Sequence, residues 1–145
     1  MKKILLVFIT FFIVFVSLVD VNAINAKEQY YFETVIETET ITKTYATGSK
    51  TASKTLYVKN ASDQVLWYVK VTGTFTYTGS SSTCTSSSVT AEAYDTNWKI
   101  ISKSSSKSGK TANAIAKGGM YRNGLIIETL TKNVSLTCDA NGNLS

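Results

Sequence analysis

The stretch Val65–Tyr77, VLWYVKVTGTFTY, constrains the fold more than any other. Val65, Trp67, Val69, Val71, Phe75 and Tyr77 fall on one side of an extended backbone, and Lys70, Thr72, Thr74 and Thr76 fall on the other. That is the period of a β-strand with one buried face. Leu66 and Tyr68 add apolar surface to the second face at its upstream end. A strand of this length must find partners on both edges, and Gly73 is the expected place for a bend or bulge.

The same period recurs along the chain. Residues 30–45 alternate threonine with valine, isoleucine and glutamate, and β-branched residues favour strands because their χ1 freedom is already restricted. This segment is expected as an edge strand or a mobile arm, with Tyr30, Tyr31 and Phe32 docking on the core. Ala46–Lys54 reads as a connection, and Thr55–Lys59 as a short strand that turns through Asn60–Asp63 into the central one. Residues 89–95 and 98–103 alternate on either side of Asp95-Thr96-Asn97 and are expected to form a hairpin. Thr111–Lys117, with alanines at every second position, suits a strand lying close against another sheet or a short helix. Gly118-Gly119 and Asn123-Gly124 bracket an expected tight turn, and a phase change near Lys132-Asn133 suggests a bulge before a polar tail from Asp139. Six to eight short strands without a long amphipathic helix make an all-β protein. The expected architecture is an antiparallel two-sheet β-sandwich, immunoglobulin-like in general outline, with a small β-barrel as the alternative.

Lys2 and Lys3 precede the apolar run Ile4–Val19, and small-residue cleavage patterns end at Ala23 and Ala26. This is the form of a secretory signal, expected over 1–26 as a helix that is later removed; a retained membrane anchor is the alternative. The remainder divides into an N-terminal edge strand or arm over 27–54 and a β domain over 55–145. The full chain carries a formal net charge of +5, and loss of Lys2, Lys3 and Asp20 leaves +4. A modest positive charge favours anionic envelope surfaces and does not specify nucleic acid.

The chain contains two cysteines and no histidine. In an exported protein the pair Cys84 and Cys138 is expected to form a disulfide, closing about 55 residues and contributing roughly 4 kcal/mol. The absence of histidine excludes Cys-His catalysis, the usual hydrolytic triads and a Cys/His zinc site within one chain. A hydrolase would have to pair carboxylates, with Glu92 and Glu128 as one pair across a sheet and Glu37 with Glu39 as another. Ser108-Gly109-Lys110-Thr111 resembles the end of a phosphate-binding loop, but position 104, where the motif needs glycine, is serine. Asp139–Asn143 resembles the start of a calcium loop but lacks the closing glutamate. Asn60-Ala61-Ser62 and Asn133-Val134-Ser135 are glycosylation sequons only where a secretory pathway modifies them. No catalytic residue, metal ligand or cofactor is expected.

The segments FTYTGSSSTCTSSSV, YDTNWKI, KSGKTANAIAKGG and VSLTC resemble small secreted β-rich proteins of Gram-positive bacteria, over residues 55–140. The resemblance implies an extracellular location and carries over no site residue. The expected function is a non-catalytic secreted or envelope-associated binding or structural module, taking an envelope polymer, a lipid surface or a protein through Tyr94, Asn97, Tyr121 and Arg122. A membrane-active secreted β protein or toxin and a paired-carboxylate hydrolase are the alternatives.

Overall fold

The computed structural model describes residues 29–44 and 47–145, without the side chains of 39–44. The expected signal segment lies outside the described residues. Among the described residues seven strands follow one another: β1 (Tyr31–Thr44), β2 (Thr47–Lys59), β3 (Val65–Tyr77), β4 (Ser82–Ala93), β5 (Trp98–Ser108), β6 (Thr111–Arg122) and β7 (Leu125–Thr137). They form two antiparallel sheets, a four-stranded one ordered β1-β2-β3-β4 and a three-stranded one ordered β5-β6-β7. Within each sheet every strand pairs with its chain neighbour, so each is a meander without crossovers.

The core lies between the sheets. β3 contributes Trp67, Val69, Val71, Phe75 and Tyr77, and it faces Ala112, Ala114 and Ala116 of β6 with Val134 and Leu136 of β7. Large side chains on one sheet thus meet small ones on the other, which is how two sheets interdigitate without voids. The alternating alanines of β6 therefore mark a strand, chosen for close approach. Two glycines extend the same logic. A Cβ at Gly118 would lie 2.7 Å from Trp67 Cε2, and one at Gly73 would lie 2.6 Å from Phe75 Cζ and 2.8 Å from Ala112 Cβ.

Several local expectations change. β2 is continuous from Thr47, because Thr51 and Ser53 join the ladder and hydrogen-bond across it to Thr74 (3.0 Å) and Thr72 (2.8 Å). Ser and Thr looked like a connection in the sequence but here satisfy one another on a sheet face. β3 does not break at Gly73; the irregularity lies one residue on, where Thr74 and Phe75 pair with Ser86 and Cys84 and leave Thr85 extra on β4. β6 runs through Gly118-Gly119, and the turn is only Asn123-Gly124, both at positive φ (52° and 79°), which is type I′ hairpin chemistry. β7 is unbroken at Lys132-Asn133; its bulge falls earlier, opposite Met120 and Tyr121.

β4 and β5 do not pair as a hairpin but lie in different sheets. The Asp95–Asn97 turn carries the chain across. Tyr94 and Asp95 donate their amides to Leu66 O, Asp95 Oδ1 accepts from Asn97 N at 2.8 Å, and Tyr121 N donates to Asn97 O at 2.7 Å. Trp98 then lands on Trp67, ring centroids 6.3 Å apart. Further along, Ser105 Oγ donates to Ser87 O (3.3 Å) and Lys107 Nζ to Thr85 O (2.5 Å), so side chains close this edge where no ladder does.

The expected disulfide is absent. Cys84 and Cys138 are both buried and both free thiols. Cys84 sits on β4 and Cys138 just beyond β7, in different sheets, and the β5–β6 turn separates them. Cys84 N donates to Gly109 O (2.8 Å), and Cys138 N donates to Lys110 O (3.1 Å). Each thiol turns to a local carbonyl, Cys84 Sγ to Ser86 O and Cys138 Sγ to Asp139 O. Backbone hydrogen bonds through one turn thus hold together what a covalent bridge was expected to fasten. The C-terminal segment is also tied in: Leu144 bridges to Cys138, Ser145 and Thr137 exchange backbone bonds, and Lys50 Nζ donates to Gly142 O.

Candidate functional site

The turns β2–β3, β4–β5 and β6–β7 all lie at the end of the molecule where the chain enters β1. Tyr30 docks there, edge-on to Trp98 (5.8 Å) with its hydroxyl donating to Glu128 Oε2 (2.7 Å). Tyr31 and Phe32 remain about half exposed, Phe32 beneath Lys132 Nζ at 3.5 Å from its ring centre.

The outer face of the four-stranded sheet carries an aromatic row at this end. Because Trp67 and Val69 turn inward, Tyr68 turns outward, and register sets it between Tyr57 of β2 and Glu92 of β4. Tyr57 in turn lies opposite Glu33 of β1. The sequence therefore folds into a line, Glu33–Tyr57–Tyr68–Glu92, crossing all four strands. Tyr94, two residues beyond Glu92 and on the same face, stacks on Tyr68 with centroids 5.6 Å apart and planes 28° apart. Tyr57 lies 6.1 Å from Tyr68 on the other side. Tyr94 is 62% exposed. The row thus offers ring surface to solvent with a carboxylate at each end.

Charge around the row is organised. Lys59 pairs with Glu33 (2.5 Å) and Asp63 (3.1 Å), and these partners, Glu33 first, raise its pKa. Lys70 reaches Glu37 at 4.0 Å in the adjoining rows. Desolvation, and after it the charge of Glu92, raises the Tyr68 phenol above its ordinary range. Aromatic faces beside fixed hydrogen-bonding groups suit a ligand that has both apolar C–H faces and hydroxyls.

Of the residues expected from the sequence, Tyr94 belongs to this row. Asn97 and Tyr121 meet through the backbone bond already described, on the far side of the same end, and Arg122 follows at the β6–β7 turn, exposed. The four therefore divide between two surfaces. Tyr57 and Tyr68 were missed as site residues; the signal available was Tyr68's place on the polar face of β3. Of the carboxylate pairs of the hydrolase alternative, Glu92 and Glu128 are not brought together, and the Glu39 side chain of the Glu37–Glu39 pair lies outside the described residues. Glu92 is on the outer face, and Glu128 lies on another sheet and takes the Tyr30 hydroxyl. The Asp139 carboxylate is used by its own turn, accepting from Asn141 N, Asn143 N and Asn143 Nδ2, which lowers its pKa. Comparison with family models, curated proteins and solved structures finds no match.

Proposed function

We propose that the chain is a secreted, non-catalytic binding module of the cell envelope, an immunoglobulin-like β-sandwich in general architecture, whose tyrosine row takes up an envelope polysaccharide. The observation that carries this reading is the line Glu33–Tyr57–Tyr68–Glu92 with Tyr94 stacked beside it. Three tyrosines gathered on the solvent face of a sheet contribute nothing to the core between the sheets. A pyranose ring presents a C–H face to an aromatic ring and hydroxyls at its rim, where Glu33, Glu92 and the Tyr68 phenol offer acceptors and a donor. The Lys2, Lys3 and Ile4–Val19 pattern supports export to where such polymers are found.

Co-sedimentation of the exported chain with purified peptidoglycan and with chitin tests the reading. Retention on at least one polymer, lost in the Tyr68→Ala/Tyr94→Ala double variant, is the expected result. Equal recovery of wild type and variant in the pellet would exclude the row as the site.

A further inference from the structure

The opposite outer surface of the same end breaks a rule of strand geometry. Leu125, Ile126 and Ile127 are consecutive, yet all three are exposed, at 70%, 49% and 48%. In a regular strand one of any three consecutive residues would turn toward the core. The bulge prevents this: Glu128 pairs with Met120 and Ile126 with Tyr121, so Ile127 is extra and the strand is re-aimed. The Asn123-Gly124 turn fixes the tip that presents them.

The apolar surface continues from this tip. Tyr121 lies opposite Ile126, and Ile101 lies over the bare backbone of Gly119, where a Cβ would stand 2.6 Å from Ile101 Cδ1 and 3.5 Å from Tyr121 Cε2. Lys99 Nζ sits 5.0 Å above the Tyr121 ring, and Arg122 is exposed at the turn. The neighbouring acids face elsewhere, Glu128 to Tyr30 and Asp95 to Asn97 N. The surface thus combines projecting aliphatic side chains, a ring and two cations.

We propose that this β6–β7 end docks on an anionic lipid bilayer, Leu125, Ile126 and Ile127 entering the headgroup boundary while Lys99 and Arg122 meet lipid phosphates. Aliphatic residues beside an amphipathic ring and basic groups are the composition of interfacial membrane contacts. Charge complementarity selects this occupant over a second copy of the chain, because self-docking would bring Lys99 and Arg122 against their equivalents. The proposal stands independently of the tyrosine row.

The test uses the full chain with a reporter tryptophan, Leu125→Trp at the tip or Ser108→Trp at the far end, mixed with vesicles of phosphatidylcholine alone or with phosphatidylglycerol, each with brominated acyl chains. The expected result is a blue shift and quenching of the Leu125→Trp signal on phosphatidylglycerol vesicles, weaker on phosphatidylcholine and absent for Ser108→Trp. Adding Lys99→Glu and Arg122→Glu should abolish the anionic preference. Three results would overturn the proposal: solvent-like emission at position 125, equal quenching at both ends, or a lipid-independent blue shift that grows with protein concentration and marks self-association.

Discussion

Trp67 of one sheet packs against the bare backbone of Gly118 in the other, which makes a quantitative prediction possible. In Gly118→Ala the new Cβ would lie 2.7, 3.0 and 3.1 Å from Trp67 Cε2, Nε1 and Cζ2. Carbon atoms prefer about 3.5–4.0 Å, so the ring would have to retreat by roughly 0.8 Å. It has nowhere to go, being fully buried against Trp98. Overpacking of this kind costs about 1–3 kcal/mol, and the reduced chain entropy of alanine in the unfolded state returns about 0.4–1 kcal/mol. The net expectation is a loss of about 1–2 kcal/mol. At a urea dependence of about 1–3 kcal/mol per molar, the unfolding midpoint falls by roughly 0.5–1 M. The second arm is Trp67→Phe, which removes the contacted atoms together with the indole N–H that, among the described residues, is buried without a hydrogen-bond partner. In that background Gly118→Ala should be close to neutral, a coupling of about 1 kcal/mol between touching residues. An equal midpoint shift in both backgrounds would refute the packing argument.

Three further outcomes follow from the same geometry. Tyr94→Ala, at an exposed ring, should leave the urea midpoint unchanged while weakening retention on the bound polymer about tenfold, a loss of about 1.4 kcal/mol; co-sedimentation beside an unfolding curve separates the two effects. Burial raises both cysteine thiols, so native protein should react slowly with a thiol reagent at pH 8, denatured protein should titrate two thiols without reductant, and reductant should leave the melting temperature unchanged. For Asp139 the folded pKa is depressed, so its contribution is present above the ordinary carboxylate range and is lost as pH falls through the lowered value. Faster amide exchange at Asn141 and Asn143 should appear only in that acid window, relative to amides of the central strands, and Asp139→Asn should remove the step.

The sequence was most informative where period and burial coincide. In β3 every second residue but Gly73 is an apolar side chain, so its identity, its extent and the burial of Trp67 were all legible. β2 was half legible, because Thr51 and Ser53 hydrogen-bond across the ladder to Thr74 and Thr72 in a way that composition cannot tell from a loop. The Asp95–Asn97 turn was recognised but its direction was not: a hairpin and a crossing between sheets use the same turn residues, and the bonds to Leu66 and Tyr121 that decide between them are long-range. The cysteines misled because redox compartment fixes whether a bridge is permitted, whereas register decides whether two thiols meet. Tyr94 could be named from its loop, but Tyr57 and Tyr68 become a site only through the pairing of β2 with β3, which no local pattern encodes.

Ring-selective NMR shows most directly whether the tyrosine row receives a sugar polymer. With tyrosine rings labelled and a soluble chitin or peptidoglycan fragment titrated in, Tyr57, Tyr68 and Tyr94 should shift saturably while buried Tyr77 stays fixed. Shifts confined to Tyr121, or no shift at any tyrosine in the presence of a fragment the protein retains, would contradict it.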